Sequence, residues 1–264
     1  MEVHHHPDLH HKKKDFKEYF LEFLMIFLAV TLGFIAENIR EKITEKHNAK
    51  EYAKLLVNDL TTDLAEFNRT DHVLKRIIDC GDSLSELIRF GDIKTIPSGK
   101  LYYYEYWSGW QWKVTTRDAT LKQLENSGAF RYLGNVYLIK KILDYEETLK
   151  IIAVLEDGID LQKNDNWNLV QKVFDASHFN TIQTIGAAAR DSASQTSHSD
   201  EGLFNSFLNT NYPLLTYDKN IWMEISNRAL TSSGGYRNLF TTVNMAKKQA
   251  EEALEALKEE YHLK

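Results

Sequence analysis

The chain of 264 residues contains a single cysteine, Cys80, with only three prolines and 12 glycines. One cysteine excludes an internal disulfide framework and a zinc site built from several thiolates. The scarcity of proline and glycine indicates long helices, because these two residues are the usual helix breakers. A large excess of one charge is also lacking. The 32 basic and 38 acidic residues leave a net charge of −6, which excludes the basic surface of a nucleic-acid-binding protein.

The sequence also lacks the short motifs with which common enzyme classes hold phosphates, metals or acyl groups. It contains no P-loop, no G-x-G-x-x-G, no G-x-S-x-G and no H-E-x-x-H. Cys80 lies at helical spacing from Ile77 and Leu84, so it is predicted to pack rather than react. We therefore predict no catalytic residue, no cofactor and a protein that is not an enzyme, with an unrecognised hydrolase as the distant alternative.

What the sequence does contain is one long apolar run near its start. Residues 23–36 read FLMIFLAVTLGFIA, and extension back to residue 19 gives 18 residues, or about 27 Å of helix. That length nearly crosses a hydrocarbon core of about 30 Å. The alternatives are a cleaved signal peptide, which the bulky Phe34 disfavours, and a core helix, which apolar residues on every face disfavour. We predict a transmembrane anchor over residues 19–36, with these contacts: Tyr19, Phe20, Phe23, Phe27, Ala29, Gly33 and Phe34. Ala29 and Gly33 form a small-xxx-small pair that could let two anchors approach closely.

The orientation of this anchor does not follow from counting basic residues. Four precede the run and four follow it: Lys12, Lys13, Lys14, Lys17, then Arg40, Lys42, Lys46, Lys50. The first set is denser, and a long following domain can cross a membrane regardless of its charge. We therefore expect residues 1–18 to be a cytoplasmic tail and residues 37–264 to be a periplasmic domain, with the anchor in a bacterial inner membrane.

Histidines are concentrated in the tail, where residues 4–14 read HHHPDLHHKKK. Neutral imidazoles are good ligands for zinc, nickel and copper. The alternative is a flexible cationic tail that lies beside anionic lipid. Since the segment has no folded surroundings to orient a ligand set, we predict no metal site and name only weak candidates: His4, His5, His6, His10 and His11.

Two segments carry apolar residues at alternating spacings of four and three, which is typical of helices that pack along a seam. The first follows the anchor, and its seam residues are Ile39, Ile43, Ala53, Val57, Leu60, Leu64 and Phe67. The second follows Gly234–Gly235, with Ser233 as a candidate N-cap, and its seam residues are Leu239, Val243, Ala246, Ala250, Ala253 and Leu257. We predict an antiparallel stalk of helices over residues 37–67 and 236–264; the alternative is that each packs elsewhere in a bundle.

These patterns predict the fold class. It is mainly α, with an N-terminal transmembrane helix that continues into an extended helical bundle with an antiparallel stalk. A long helix is expected after Gly134–Asn135. Residues 180–202 are rich in Ser, Thr, Ala and Gly and are predicted to form a loop.

An aromatic segment is the most distinctive local feature. Residues 102–112 read YYYEYWSGWQW, with seven aromatic residues in 11. Tyr and Trp are typical anchors of interaction surfaces, but they also fill the turning end of a helical bundle. The segment is expected to be a short β-ribbon or an irregular strand, and Glu105 would contact a cationic ligand. The candidate binding residues are Tyr103, Tyr104, Glu105, Tyr106, Trp107, Trp110 and Trp112.

Three stretches resemble a bacterial family associated with Bacteroidota. They are the beginning MEVHHHPDLHHKKKDFKEYFLEFLMIFLAVTLGFIAENIREK, the middle segment TLKQLENSGAFRYL and the ending LKEEYHLK. Members of that family resemble this chain in a His-rich start, a basic patch, one span ending in G-F-x-A-E and a long charged helix. The resemblance implies a single-pass membrane protein with a helical extracytoplasmic region, and it carries no activity and no catalytic residue.

These observations together lead to a functional expectation. We expect a membrane-anchored helical interaction or sensing module whose partners are the lipid bilayer and either another protein or further copies of itself. A structural envelope or oligomerisation protein without a small-molecule ligand is the alternative. Nucleic acid is not an expected partner.

Overall fold

The structure, a computed structural model, describes residues 15–164, 167–192 and 200–263. The chain divides into two compact units, Met1–Glu51 and Tyr52–Lys264, which are considered separately. A short 3₁₀ helix spans Ala129–Leu133. The α-helices are α1 (Phe16–Phe90), α2 (Ser98–Ser108), α3 (Ala119–Ser127), α4 (Val136–Asn164), α5 (Trp167–Val170), α6 (Ala176–Ser192), α7 (Asp200–Leu208) and α8 (Lys219–Tyr261).

These elements confirm the predicted fold class. The described residues are mainly helical and contain no β-strand, and a long N-terminal apolar helix leads into a helical domain. The predicted histidine candidates (His4, His5, His6, His10 and His11) lie outside the described residues. The helix expected after Gly134–Asn135 is α4, and the Asn135 Oδ1 atom accepts hydrogen bonds from the backbone N–H groups of Tyr137 and Leu138 at its start.

The second unit is built on three long helices. The part of α1 from Tyr52 onward runs antiparallel to α8, since Asp71 faces Lys247 at 3.7 Å and Asp82 faces Arg237 at 2.6 Å. Helix α4 also runs antiparallel to α8, because its first turns lie beside the last turns of α8. The Lys141 Nζ atom lies 2.8 Å from the Glu252 carboxylate there. Residues 52–67 of the first predicted stalk helix therefore meet the second one within a three-helix bundle, with α4 as the third member.

The seam predicted for α8 is buried throughout. All six of its members are fully enclosed by α1 and α4: Leu239, Val243, Ala246, Ala250, Ala253 and Leu257. The alanines let the helices approach closely, as the spacing predicted. Where the helices pack this closely, burial of apolar surface, at about 25 cal/mol per Å², is the main contribution to the stability of the bundle.

The seam of α1 is offset from the predicted one. Its buried residues keep the four-three spacing, but two polar side chains occupy seam positions. Val57 and Leu64, which were predicted to lie in the seam, are only partly buried at its border. The seam consists of Ala53, Leu56, Leu60, Asp63, Phe67, Thr70, Leu74 and Ile77.

Small residues bring α1 and α8 together further along the bundle. The Ser85 and Ser226 hydroxyl groups share a hydrogen bond of 2.8 Å, and the Ser233 hydroxyl donates to the Ile78 carbonyl oxygen at 3.3 Å. Gly81 lies at the same crossing, where an added Cβ would overlap the Ser233 hydroxyl. The glycine is therefore required by the close approach of the two helices.

The start of α8 differs from the prediction. The helix begins at Lys219, with the Asp218 side chain accepting a hydrogen bond from the Asn220 N–H group, and it runs through Gly234 and Gly235 without a break. A helical glycine costs about 1 kcal/mol relative to alanine. Burial of the early α8 residues Trp222, Ile225 and Ala229 outweighs that cost.

The predicted loop over residues 180–202 is also wrong in its described part. Helix α6 extends to Ser192 and α7 begins at Asp200. Ile182 is buried in a hydrophobic cluster that also contains Tyr102 and Phe174, and Ile185 packs against it. This tertiary burial overrides the weak helix preference of the Ser and Thr residues.

Candidate interaction sites

The first candidate site is the apolar part of α1 in the first unit. This helix is long and apolar enough to cross a membrane, and no residue of its most apolar window is buried. The predicted anchor residues Phe20, Phe23, Phe27 and Phe34 each expose more than half of their surface, and so does Tyr19. Phe23 and Phe27 stack on one face with ring centroids 6.2 Å apart. A surface of this kind is far more apolar than water-exposed helices tolerate.

Ala29 and Gly33 lie within this exposed run. A Cβ atom added at Gly33 would meet no described atom within 4 Å, so the position is open on the surface of the helix. The Thr31 hydroxyl donates to the Phe27 carbonyl oxygen at 2.8 Å, which leaves no unsatisfied hydroxyl facing outward. The role of Ala29 and Gly33 in pairing two anchors stays a prediction.

The second candidate site is the aromatic segment, which over residues 102–108 is a helix rather than a β-ribbon or an irregular strand. Residues 98–108 form α2, and residues 110–118 have no regular secondary structure. The helical form follows from packing: Leu101, Tyr102 and Glu105 share one face and are buried against α6, α7 and α8. Gly99 lies against the backbone of Phe207 and Thr210, where an added Cβ would overlap a carbonyl oxygen.

Tyr102 anchors this end of the bundle. Its hydroxyl donates to the Pro213 carbonyl oxygen at 2.6 Å and accepts from the Asp175 N–H group at 2.9 Å. Its ring meets Phe174 edge to face, with centroids 4.9 Å apart. Burial raises the pKa of the Tyr102 phenol. Tyr102 is therefore a packing residue, and Tyr103, also buried, packs beside it against Phe204.

Glu105 does not face solvent, in contrast to the predicted contact with a cationic ligand. Its side chain is 3% exposed and forms an ion pair with Arg228 of α8, which is 6% exposed. Arg228 already satisfies the carboxylate from inside the protein, so an external cation has no access to it. The Arg228 Nε atom is buried without a hydrogen-bond partner among the described residues, which shows how tightly the surrounding helices close over the pair.

The remaining aromatic candidates separate into two places. Tyr106, Trp107 and Trp110 form an aromatic triad, with ring centroids 5.4 to 5.5 Å apart. Arg76 of α1 lies over the Trp107 ring at 4.5 Å, a cation–π contact. All three rings are partly exposed. Within the described part of the chain, the Trp107 Nε1 atom is buried and lacks a hydrogen-bond acceptor.

Trp112 is separate from the aromatic triad. Its Nε1 atom donates to the Thr70 hydroxyl at 3.2 Å, and Arg69 lies over its ring at 4.9 Å. It belongs with the three-helix bundle, whereas Tyr104 packs against Tyr103 of α2, with ring centroids 5.8 Å apart. The seven predicted residues therefore do not form one surface.

A cluster around Asp63 was not among the predicted sites. Asp63 is 1% exposed; its carboxylate accepts hydrogen bonds from the Tyr145 hydroxyl at 2.7 Å and the Arg117 N–H group at 2.8 Å. One turn earlier, Asp59 accepts from the Thr120 hydroxyl. Burial raises the pKa of Asp63 to about 6, and the two hydrogen bonds only partly offset that effect. Burial, with the adjacent Asp63 charge, also raises the pKa of Tyr145.

The space beside Asp63 is too small for an organic ligand. Its walls come from α1, α3, α4 and α8, and at about 10 Å³ it has room for one water molecule. Among the described residues no group of three His, Cys, Asp or Glu side chains is placed to hold a metal ion. The signal that could have revealed Asp63 is its spacing from Leu60 and Phe67, which places a carboxylate in the seam.

Comparisons with known proteins do not assign the chain to a class. No protein-family model, no curated protein and no solved structure matches it. The candidate sites are therefore interpreted from their own chemistry.

Proposed function

We propose that this protein is a single-pass membrane-anchored helical interaction module that is not an enzyme. The observation that carries the proposal is the run of exposed apolar side chains in α1, of which none in the most apolar window is buried. Its length matches a hydrocarbon core, and lipid would cover every face of it. The bacterial family that the sequence resembles has the same plan.

The orientation is part of the proposal. The dense lysines before the span hold the short tail in the cytoplasm, and the folded second unit lies in the periplasm of a bacterial inner membrane. Lys17 precedes the span, whereas Arg40 and Lys42 follow it among glutamates. The Glu37 carboxylate accepts hydrogen bonds from the Arg40 guanidinium group within one turn of that side.

We expect a C-terminal alkaline phosphatase fusion to be active in bacteria, because that enzyme matures only outside the cytoplasm. Replacing both Phe27 and Leu28 by arginine is expected to abolish this activity, since two charges at the centre of the span cost roughly 5 to 7 kcal/mol. The matched control replaces Ile39 and Ile43 by glutamine. Both residues are exposed on the same helix beyond the span, and this variant is expected to keep the activity.

A fluorescent protein fused at the same C-terminus reports a cytoplasmic location, because it becomes fluorescent there. Fluorescence of that fusion together with an inactive phosphatase would remove the periplasmic proposal. Equal behaviour of the Phe27/Leu28 and Ile39/Ile43 variants would remove the anchor itself. Extraction of the unmodified chain from membranes by alkaline carbonate would contradict the anchor in the same way.

The aromatic triad supports a partner site on the second unit. Three partly exposed rings offer aromatic and apolar area to a partner, as interaction anchors do. The alternative, a structural envelope protein, is favoured by the burial of Tyr102 and Tyr103.

Trp107→Phe separates these two roles, because it reduces the aromatic area that the triad exposes and keeps a ring in the same place. We expect it to lower the yield of a specific crosslinked partner at least about fivefold, an order of 1 kcal/mol, with the melting temperature within about 3 °C of wild type. The matched control is Tyr137→Phe, an exposed aromatic on α4. A lower melting temperature with unchanged crosslinking would favour the structural alternative.

A further inference from the structure

Helix α4 is apolar on two opposite faces. Its inner face, with Leu138, Ile142, Tyr145, Ile152 and Ile159, is buried in the three-helix bundle. A second row of apolar residues points away from that core. The exposed fractions are 80% for Val136, 42% for Leu143, 70% for Val154 and 73% for Leu161. A surface helix of a soluble unit normally presents charged residues there, so this outer face is an unpartnered apolar surface.

The outer face follows a heptad repeat in which apolar and charged residues alternate. The a positions are Lys140, Glu147, Val154 and Leu161. The d positions are Val136, Leu143, Lys150 and Asp157. Every one of these eight side chains is exposed. Half of the potential seam is apolar and half is charged, with equal numbers of lysines and acids.

The order of these residues is symmetric about a midpoint that lies between Thr148 and Leu149. In an antiparallel pair of helices each a position meets a d position of the partner. Two copies of α4 centred on that midpoint place every apolar residue against an apolar residue and every lysine against an acid. The layers are Val136 with Leu161, Lys140 with Asp157, Leu143 with Val154, and Glu147 with Lys150.

The parallel arrangement is disfavoured by the same residues. Parallel helices bring each a position against itself and each d position against itself, so Lys140, Glu147, Lys150 and Asp157 would each meet a like charge. Like charges in contact across an interface oppose association. The charge order therefore specifies direction as well as partner.

We propose that the outer face of α4 binds the same face of a second copy of this chain, antiparallel and centred between Thr148 and Leu149. A surface shaped for an unrelated partner has no reason to be symmetric about its own midpoint, whereas a two-fold interface must be. The contact extends from Val136 to Leu161, about 39 Å along the helix. Lys150 also pairs with Glu146 at 2.7 Å and with Glu125 at 3.8 Å in its own chain, but at 67% exposure its ammonium group remains accessible to a second copy.

The pairing does not rest on the proposed membrane anchor. Because α4 runs in the same direction as the Tyr52–Phe90 part of α1, the two Tyr52 ends lie at opposite ends of such a pair. In detergent no shared membrane constrains the direction, so the purified full chain is the material for the test.

A charge exchange between Lys140 and Asp157 tests the partner. We expect the detergent-solubilised chain to sediment as a dimer at tens of micromolar concentration. Lys140→Glu alone and Asp157→Lys alone each put like charges in two layers, so each is expected to weaken dimerisation roughly tenfold. The double variant restores opposite charges and is expected to return to within about threefold of wild type. All measurements are made with Gly33→Leu, which removes the small-xxx-small pair of the anchor.

Disulfide formation between engineered cysteines tests the direction, in a Cys80→Ala background. Copies with Leu143→Cys are expected to crosslink to copies with Val154→Cys, and neither variant is expected to crosslink efficiently to itself. A chain that stays monomeric with an intact helical circular-dichroism spectrum overturns the proposal. Crosslinking of Leu143→Cys to itself overturns it, as does a double charge exchange that fails to restore the dimer. A different protein bound to this face in place of a second copy would also overturn it.

Discussion

Replacing Arg228 by methionine is expected to lower the free energy of unfolding by about 3 to 5 kcal/mol. Methionine is similar in volume to arginine and apolar, so the packing between α2 and α8 is largely kept. The Glu105 carboxylate, 3% exposed, loses the guanidinium group of Arg228. The cost of removing one partner from a buried ion pair then dominates the effect. The measurement is urea or guanidinium unfolding of the full chain in detergent, followed by circular dichroism.

Two matched variants identify the cause of that loss. Arg237→Met breaks an ion pair with Asp82 whose side chains are 54% and 43% exposed, and it is expected to cost less than about 1 kcal/mol. Glu105→Leu combined with Arg228→Met removes both buried charges and is expected to recover most of the stability. Equal losses in Arg228→Met and Arg237→Met would contradict the buried pair, and so would a double variant no more stable than Arg228→Met.

Asp63→Asn is expected to stabilise the protein at neutral pH by up to about 3 kcal/mol. Burial raises the pKa of Asp63 to about 6, compared with an ordinary value near 3.8. The folded state holds the Asp63 proton more tightly than the unfolded state, so the stabilising contribution of protonated Asp63 is complete below pH 3.8. This contribution is lost as the pH rises through 6, at about 1.4 kcal/mol per pH unit. Asparagine stays neutral and keeps an oxygen that accepts from the Arg117 N–H group.

The test compares unfolding free energies of wild type and Asp63→Asn at several pH values from 4 to 8. Other groups also titrate, among them Glu156, whose pKa is raised by burial, so the difference between the two proteins is the informative quantity. It should be small at pH 4 and largest above pH 7. Asp79→Asn, an exposed change on the same helix, serves as the control. A difference independent of pH, or one that grows toward pH 4, would contradict the assignment.

The seam of α8 could be predicted from sequence, whereas the seam of α1 could be predicted only in part. In α8 every seam residue is apolar, so the four-three spacing identifies the buried face directly. In α1, Asp63 and Thr70 occupy seam positions, and a search for apolar residues shifts to Val57 and Leu64 at the border. Each polar residue is buried because a partner from a distant segment satisfies it, and local periodicity does not contain that partner.

The aromatic segment shows the same limit for the candidate site. Its composition was compatible with a binding surface and with packing at the end of the bundle. One face of α2 is enclosed by α6, α7 and α8, which leaves three of the seven candidate residues in the aromatic triad. Glu105 is paired with a residue 123 positions away in the chain. Trp112 is held by Thr70 on α1. Neither partner follows from the segment itself.

The sequence by itself determined the features that depend on local order. These are the apolar run long enough to span a membrane, the long helices permitted by scarce proline, and the alanine-rich seam of α8. Tertiary structure alone decided which polar groups are buried and with what they pair, as with Asp63 and Tyr145 or Glu105 and Arg228. The physical reason is that helix formation and membrane length are properties of neighbouring residues. The burial of a charge is tolerated only where the fold brings its partner within hydrogen-bonding distance.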